Sequence, residues 1–516
     1  MQSPSTQVLV VGAGPVGLTC ALVLSRLGIR VRIIDEQPSK ASYSKALVLW
    51  RGSLKTLNPF IDISRFEAGH SDVRGARLSS KKDSIAHMSL EDEDRGVVPG
   101  IFIPQYDTES CLIDALQEQG IEIERGSRLE SFSQSDDGVS VRVASGNGDE
   151  DIQASWLIGC DGGHSTIRKT LGLSFDGQSR EHRWLLADVD IDRQEDEHEL
   201  RIVQSGLGAV VCFPISERRW RIIVDAGEVE EVADAGAPAI EDIQQAIDDR
   251  TSLGWRIMAE HWLTHFHINE RQIDCYVNGR VLLAGDAAHV HTPAGGQGMN
   301  TGIQDAVNLA WKLSMVLSDQ APDSLMQSYH AERHPVGAYV IKASRLMMRA
   351  AMDTSPFAIG LGKVLAPIMT TLPMIRKRAM SFLTEDFVSY RDGPLAGVRS
   401  GWTGHGSGDA FPDFMIRMND GDDRAAIHLL KEPGFTLVVI GDPDEPRVIV
   451  DSFIRAGIDL HVRRVCTGGD AEDIDGRLAD AFELPAGGYV LVRPDSFIAV
   501  VSNDAGRVTE WLSVLT

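Results

Sequence analysis

The sequence predicts an α/β fold in which two glycine-rich segments are separated by a strand-rich stretch. A glycine-rich turn follows the apolar run Val8–Val11, and a second apolar run with its own glycine turn appears far downstream at Val281–Ala284. Between them, Trp184–Asp192, Ala209–Phe213 and Arg219–Asp225 have the composition of strands. Two glycine-rich segments that are so distant in sequence indicate one large cofactor bound by both.

The first glycine-rich turn has the order of strand, turn and helix that a dinucleotide site requires. It lies between Val8–Val11 and the helix-like Leu18–Leu27, and an acidic residue ends the next apolar strand, Val31–Ile34. The glycines allow a tight turn and a close approach to pyrophosphate, and the helix N-terminus offers free N–H groups to the phosphates. A structural glycine turn is the alternative, but the strand, helix and acid together favour cofactor binding. The candidate cofactor-binding residues are Gly12, Gly14, Pro15, Val16, Gly17, Asp35 and Glu36.

The second glycine-rich segment repeats this pattern. Val281–Ala284 predicts a buried strand, and a turn rich in glycine and proline precedes a helix predicted to begin near Met299. A glycine-lined helix start attracts anions, and the carboxylate after the strand can accept hydrogen bonds from a polyol chain. The candidate residues of this segment are Gly285, Asp286, Pro293, Gly298, Met299 and Asn300.

Three motifs of the chain resemble, in order and spacing, those of the FAD-dependent aromatic hydroxylases, the single-component flavoprotein monooxygenases related to p-hydroxybenzoate hydroxylase. They are the N-terminal glycine motif, the middle motif Cys160-Asp161-Gly162-Gly163-His164-Ser165-Thr166-Ile167-Arg168, and Gly285-Asp286-Ala-Ala-His289 followed by Pro293. The resemblance extends from Gln7 to Arg345. It implies a Rossmann-like FAD-binding domain with an inserted mixed β-sheet substrate domain.

The resemblance also implies roles for residues outside the glycine-rich turns. Gln105 matches a family glutamine that approaches the FAD, and Asp161 of the middle motif is expected to contact the same cofactor. Tyr329–Pro335 matches the helix that follows the third motif, while His289 matches a position with an architectural role. Lys45 stands where the family usually carries arginine, so a phosphate contact there has less directional definition.

By this resemblance, the chain binds FAD tightly and non-covalently, and NADPH or NADH reduces it in a transient encounter. Dioxygen then forms a flavin C4a-hydroperoxide that hydroxylates a small phenolic or polycyclic, polyketide-like aromatic substrate. Catalytic contacts are expected at Pro293, Gly298 and Met299, and backbone N–H groups near Gly298–Asn300 are expected to stabilise negative charge on the reduced flavin. Baeyer–Villiger oxidation or epoxidation on the same fold stays an alternative, as does a flavin-binding protein without turnover. A halogenase is disfavoured, because the nearest stretch to its WxWxIP signature begins at an unpaired Trp220.

The motif order predicts a discontinuous domain arrangement. Residues 1–178 and 275–345 are predicted to form the FAD-binding domain, with the substrate domain at 179–274 between them. Residues 346–393 are predicted to form a helical linker or a pocket wall, and they are rich in methionine. Packing of these methionines in the core or at an interface is the plainer interpretation. Residues 394–516 alternate strands and helices and resemble the thioredoxin-like C-terminal domain of the phenol and polyketide hydroxylases, and they lack the CxxC dithiol of a true thioredoxin.

Composition disfavours several other function classes. The 516-residue chain has a formal net charge of −24, which disfavours nucleic acid as a partner because a phosphate polymer would be repelled. Its six cysteines show no metal-ligand spacing, so reduced thiols and no metal site are expected. The sequence contains no apolar run of membrane-spanning length, and no basic residue precedes its apolar N-terminal stretch. A cytoplasmic enzyme is therefore predicted, and homodimerisation is left open.

Overall fold

The structure is a computed structural model that describes most of the chain. The described residues are 5–43, 46–81, 83–91, 96–146, 148–228, 238–352, 372–397, 404–443 and 446–515. Among the helices of these residues, none combines the length and the apolar character that crossing a lipid bilayer requires.

The strands fall into three large sheets and one small one. In chain order they are β1 Ser5–Val11, β2 Val31–Asp35, β3 Val48–Trp50, β4 Ser71–Asp72, β5 Gly75–Ser80, β6 Ser84–Ser89, β7 Gly100–Phe102, β8 Ile123–Arg125, β9 Ser127–Gln134, β10 Val139–Ser145, β11 Glu150–Gly159, β12 Asp176–Ile191, β13 Glu199–Gln204, β14 Val210–Pro214, β15 Arg219–Glu228, β16 Ile257–Gln272, β17 Val277–Asn278, β18 Val281–Leu283, β19 His289–Val290, β20 Met415–Met418, β21 Asp423–Ala425, β22 Phe435–Ile440, β23 Leu460–Val465, β24 Ala471–Glu472, β25 Gly488–Val492 and β26 Ile498–Ser502.

The helices pack on and between these sheets. They are α1 Pro15–Arg26, α2 Arg51–Leu57, α3 Ser64–Glu67, α4 Gln105–Glu118, α5 Thr166–Thr170, α6 Ile240–Arg250, α7 Gln297–Leu317, α8 Gln327–Met352, α9 Pro373–Leu383, α10 Pro446–Arg455, α11 Arg477–Ala481 and α12 Ala505–Trp511. Short 3₁₀ turns lie at Gly285–Ala287, Ala294–Gly296, Asp323–Met326, Ala426–Leu429 and Leu512–Val514.

The first sheet brings together the strands that precede the three sequence motifs. Its main order is β17-β18-β11-β1-β2-β8, and the pairs β18–β11, β11–β1 and β1–β2 are parallel. The predicted strand Val8–Val11 belongs to β1, and its side chains are buried because both faces of the sheet are covered. Since parallel strands share one carboxyl edge, the glycine motif, the middle motif and the third motif all begin at that edge.

The second sheet is the predicted strand-rich insertion. Its order is β19-β16-β12-β15-β14-β13-β5-β6, and the predicted strands at 184–192, 209–213 and 219–225 are confirmed in β12, β14 and β15. Helix α6 covers one face, where Ile243 and Ile247 pack with Ala187, Ile222 and Val224. The sheet also takes β5 and β6 from a region that the predicted boundaries place in the first FAD-binding segment, so those boundaries stay a prediction.

The C-terminal region forms a third sheet, with the order β21-β20-β24-β23-β22-β25-β26. The strands expected at Thr436–Ile440 and His461–Val465 are β22 and β23, which pair in parallel. This sheet does not fold as a detached unit, because Trp311 of α7 packs edge-on against Phe435. One apolar core therefore continues from the first sheet into the C-terminal domain.

The methionine-rich segment is described only in part. Met348 is buried beside Trp184 and Ile268 of the second sheet, which is the packing role expected for it. Met369 lies outside the described residues.

Candidate active site

The carboxyl ends of β1, β11 and β18 form the centre of the candidate site. Gly12 has a φ of +102°, and a Cβ atom there would lie 2.3 Å from the carbonyl oxygen of Cys160. Gly12 thus has to be glycine for two reasons, its backbone conformation and the close approach of the middle motif. The three motifs that are distant in sequence are neighbours at this edge.

The N-terminus of α1 offers an open anion site. A Cβ atom on Gly14 would meet nothing within 4 Å, whereas one on Gly17 would lie 1.8 Å from the carbonyl oxygen of Gly12. The helix begins at Pro15, its first turn carries no acidic residue, and no side chain caps its first N–H groups. Free N–H groups and the positive end of the helix dipole suit a pyrophosphate in this space.

Asp35, the last residue of β2, organises the glycine turn. One carboxylate oxygen of Asp35 accepts a 2.6 Å hydrogen bond from Ala13 N, and the other accepts one of 2.8 Å from Gln37 N. Arg125 at the end of β8 lies 3.5 Å from the same carboxylate, a neighbour that sequence reasoning missed. Glu36 lines a shallow surface cavity beside Arg128. A ribose contact of Asp35 stays a prediction.

The middle motif holds the third motif in place. Arg168 donates from Nη1 to the carbonyl oxygen of Ala287 at 3.0 Å and from Nη2 to that of Gly163 at 2.7 Å. Asp161 Oδ2 accepts hydrogen bonds from Thr166 N and Ile167 N at the start of α5, at 2.7 and 3.1 Å. The other carboxylate oxygen, Oδ1, is buried and has no hydrogen-bond partner among the described residues. An unpartnered buried oxygen at this edge fits a cofactor hydroxyl.

The turn of the third motif interlocks with α1. Gly285 has a φ of +60°, and Cβ atoms built on Gly285 and Gly302 would lie 2.8 and 2.6 Å from Cγ2 of Val16. This packing explains why the two glycine-rich segments need small residues at their point of contact. The side chain of Asp286 is exposed at the same edge, where a polyol chain can reach it.

Helix α7 presents a second open N-terminus to the site. It begins at Gln297 rather than near Met299, after Gly295 and Gly296 with φ values of +83° and +65°. Its first turn has no side-chain cap and no acidic residue. Of the three candidate catalytic residues, Pro293 is exposed, Gly298 is half-buried and Met299 is buried.

Two further candidates have structural partners. The Asn300 side chain accepts a 2.8 Å hydrogen bond from Trp50 N and donates to the carbonyl oxygens of Val48 and Gly296 at 2.9 Å each, so it joins β3 to α7. Gln105 at the start of α4 donates from Nε2 to Glu109 at 2.8 Å. Lys45 lies outside the described residues, although Ala46 beside it accepts a 3.1 Å hydrogen bond from Gln105 N.

A buried ion network lies directly behind the third motif. Asp305 of α7 accepts from Arg333 Nε at 2.6 Å and from Gly285 N at 3.3 Å, and it pairs with His289 Nε2 at 2.7 Å. Burial raises the pKa of Asp305, but Arg333 and His289 outweigh this effect and hold the pKa below its ordinary value. His289 is thus engaged in an ion network behind the motif, consistent with an architectural role.

His291 lies beside the first turn of α7. Its ring contacts Gly298, because a Cβ atom there would be 3.7 Å from its Cε1, and its Nδ1 lies 3.0 Å from the carbonyl oxygen of Thr292. Burial, together with His289, lowers the pKa of His291 to about 4. The ring is therefore neutral at physiological pH.

Sequence reasoning missed one carboxyl beside α7. Glu385 is buried, and its two oxygens accept hydrogen bonds from Thr301 Oγ1, at 2.9 Å, and from Gln304 Nε2. Burial raises its pKa to about 8 despite the nearby Arg333. The signal in the sequence was the set of polar residues along α7. Because this helix is buried on almost every side, those residues need buried polar partners such as Glu385.

The face of the second sheet opposite α6 carries an apolar wall. Side chains alternate along each strand, so those that do not pack on α6 point to the opposite face. Trp184, Ile223 and Phe266 cluster there, while Phe213 packs with Trp50 from the first domain. Among the described residues, no group of three or more His, Cys, Asp or Glu side chains could hold a metal ion.

The chain is similar to known flavoproteins over its whole length. A family described as FAD binding domain matches residues 5–344. The 6-methylpretetramide 4-monooxygenase of Streptomyces rimosus is 30% identical over 545 residues, which cover 98% of this chain and 93% of that protein. A rifampicin monooxygenase of Streptomyces venezuelae is 34% identical over 368 residues, covering 70% of this chain and 75% of that protein.

Solved structures agree with this similarity. OxyS anhydrotetracycline hydroxylase from Streptomyces rimosus has a TM-score of 0.77 at 27% identity, covering 97% of this chain and 96% of that one. Aklavinone-11 hydroxylase in complex with FAD and aklavinone has a TM-score of 0.77 over 100% of both chains. At 22% identity, this second likeness shows the fold alone.

Proposed function

Because this chain belongs to the FAD-dependent aromatic hydroxylases, we propose that it uses NADPH or NADH and dioxygen to insert one oxygen atom into a phenolic or polycyclic aromatic compound. The observation that carries this proposal is the meeting of Gly12, Asp161 and Gly285 at one sheet edge, flanked by two uncapped helix N-termini. An elongated dinucleotide with two phosphates and a polyol chain matches this arrangement of groups.

Each part of the site has an expected role toward FAD. The N-terminus of α1 around Gly14 would hold the pyrophosphate, Asp35 the adenosine ribose, and Asp161 with Asp286 the hydroxyl groups of the ribityl chain. When bound, the flavin supplies hydride acceptance from the nicotinamide and activation of dioxygen. The N–H groups of α7 near Gly298 would stabilise negative charge on the reduced ring.

The apolar wall supports an aromatic substrate. Phe213, Ile223 and Phe266 are half-buried on the face of the second sheet opposite α6. Flat rings gain from contact with such side chains, and a dry chamber protects an activated oxygen species from water. The relatives are named for 6-methylpretetramide, rifampicin and anhydrotetracycline, which supports a polycyclic aromatic substrate for this chain as well.

The test is turnover by the FAD-loaded protein with a panel of phenols and polycyclic aromatic polyketides. The expected result is faster NADPH or NADH oxidation with one panel compound, and a product that gains one atom from isotopically labelled dioxygen. Position of the new oxygen, determined by mass analysis and NMR, separates hydroxylation from Baeyer–Villiger oxidation or epoxidation. Bound FAD with no stimulated oxidation and no labelled product for any compound would contradict the proposal and favour a flavin-binding protein without turnover.

A further inference from the structure

Tyr390 lies between the C-terminal domain and the FAD-binding domain. Its ring packs 4.3 Å from that of Phe497, and the Arg493 guanidinium lies 5.2 Å from its centroid. Its backbone N–H donates a 2.6 Å hydrogen bond to the carbonyl oxygen of Gly408. The apolar part of Tyr390 therefore belongs to the C-terminal side of the molecule.

The hydroxyl group of Tyr390 reaches in the opposite direction. It accepts a 2.9 Å hydrogen bond from Nη1 of the fully buried Arg333. The same guanidinium donates from Nη2 to the carbonyl oxygen of Thr301 at 3.0 Å and from Nε to Asp305 at 2.6 Å. Asp305 in turn accepts from the N–H of Gly285 at the third motif. Three side chains thus connect the C-terminal domain to the cofactor edge.

A second set of buried ion pairs joins the same parts of the molecule. Arg493 pairs with Glu332 of α8 at 2.7 Å and with Asp495, and Lys312 of α7 pairs with Glu332 at 2.7 Å. All four side chains are almost completely buried. Helices α7 and α8 are therefore fixed to the C-terminal domain by charges that lack access to solvent.

We propose that Tyr390 is a positioning residue for the flavin. Through Arg333 and Asp305, it makes the geometry of the cofactor site depend on the C-terminal domain. Arg333 contacts α7 at Thr301 and, through Asp305, the Gly285 turn, so its orientation bears on the relative position of both cofactor-binding elements. Tyr390 is the group that orients Arg333 from the C-terminal side. This inference rests on the proposed FAD site at those two elements.

The test compares Tyr390→Phe with the matched control Arg391→Gln. The Y390F change keeps the ring and its stacking on Phe497 and removes only the acceptor of the Arg333 hydrogen bond. Arg391 is the next residue, but its guanidinium is half exposed and pairs with Asp409 instead. Phe497→Leu perturbs the same tyrosine from the C-terminal side while keeping its hydroxyl.

Two readouts do not depend on turnover. Hydrogen exchange of the backbone amides from Gly285 to Thr301 is followed in the FAD-free protein, and the rate of FAD dissociation is followed by flavin fluorescence. For Y390F we expect about tenfold faster exchange and dissociation, the scale of one hydrogen bond to a charged group. In F497L, we expect both amide exchange and FAD dissociation to become faster. In R391Q, we expect both rates to equal those of the unchanged protein. A third readout, product formed per NADPH or NADH oxidised, is expected to fall in Y390F.

The outcomes separate the two proposals. Unchanged exchange and dissociation in Y390F would overturn the role of Tyr390, and so would equal changes in Y390F and R391Q, which would indicate general loosening. If Y390F loses its fold, F497L decides by the same two readouts. If the unchanged protein binds FAD but oxygenates no compound, the proposed function fails while exchange and dissociation still decide the role of Tyr390.

Discussion

Replacing Glu385 with glutamine tests whether the buried carboxyl group of Glu385 is neutral in its position beside α7. Glu385 is buried against Thr301 and Gln304, and its backbone has a φ of +60°, which a side-chain-bearing residue adopts only when its surroundings hold it there. Burial raises its pKa from 4.5 to about 8. Glutamine has nearly the same shape and carries no charge at any pH.

The sign and size of the effect follow from these two pKa values. Between pH 4.5 and 8, the folded chain holds a proton at Glu385 that the unfolded chain has lost. The stability that the neutral carboxyl confers is therefore fully present below pH 4.5, and it is lost as the pH rises through 8. The slope is about 1.4 kcal/mol per pH unit, and the whole loss is about 5 kcal/mol. Glu385→Gln removes this loss, so the variant gains stability relative to the unchanged protein as the pH rises.

The assay is urea unfolding of FAD-free protein at a series of pH values from 5.5 to 8.5. Using protein without cofactor keeps the pH dependence of FAD binding out of the comparison. All other titrating groups are common to both proteins, so the difference between their unfolding free energies isolates Glu385. The control is Glu118→Gln, a half-exposed carboxylate paired with Arg65, for which we expect a nearly flat difference.

A flat difference between Glu385→Gln and the unchanged protein would refute the reasoning, because it would mean that Glu385 is ionised in the folded state throughout. A difference of opposite sign would show that the carboxylate form is stabilised, with Arg333 outweighing burial. An infrared band of a protonated carboxyl group, present near pH 7 and absent in the variant, provides an independent check.

Three further predictions concern the cofactor edge and its support. Gly14→Val should keep the fold and abolish FAD binding, because the valine side chain would fill the open pyrophosphate space. Gly17→Val should instead destabilise the fold itself, and circular dichroism with FAD titration separates the two effects. Asp286→Ala should weaken FAD binding about ten- to a hundredfold while the protein still folds, and unchanged affinity would show that Asp286 is misassigned. Glu332→Gln should lower the unfolding free energy by about 3–5 kcal/mol, because two buried cations lose a carboxylate, and unchanged urea midpoints would contradict this.

Much of the fold follows from local patterns in the sequence. The glycine motif from Gly12 to Gly17, the strand before it and the helix after it are set by residue spacing and backbone freedom, which act over a few residues. Strand period and apolar runs likewise predicted β12, β14 and β15. The two glycine-rich segments indicated one shared cofactor, and the structure brings them to one edge because parallel strands have their carboxyl ends together.

The network behind that edge was decided by tertiary packing. Nothing in the sequence around Arg333 indicates that it joins Asp305 to Tyr390, which lies 57 residues further along the chain. Glu385 is one of many glutamates, and only its burial against α7 makes its ionisation costly. The sequence by itself determined where the chain turns and which strands carry the cofactor motifs, since those depend on near neighbours. The charges that hold the motifs together became visible only in the folded structure, because an ion pair depends on where two distant side chains meet and on how much water is excluded there.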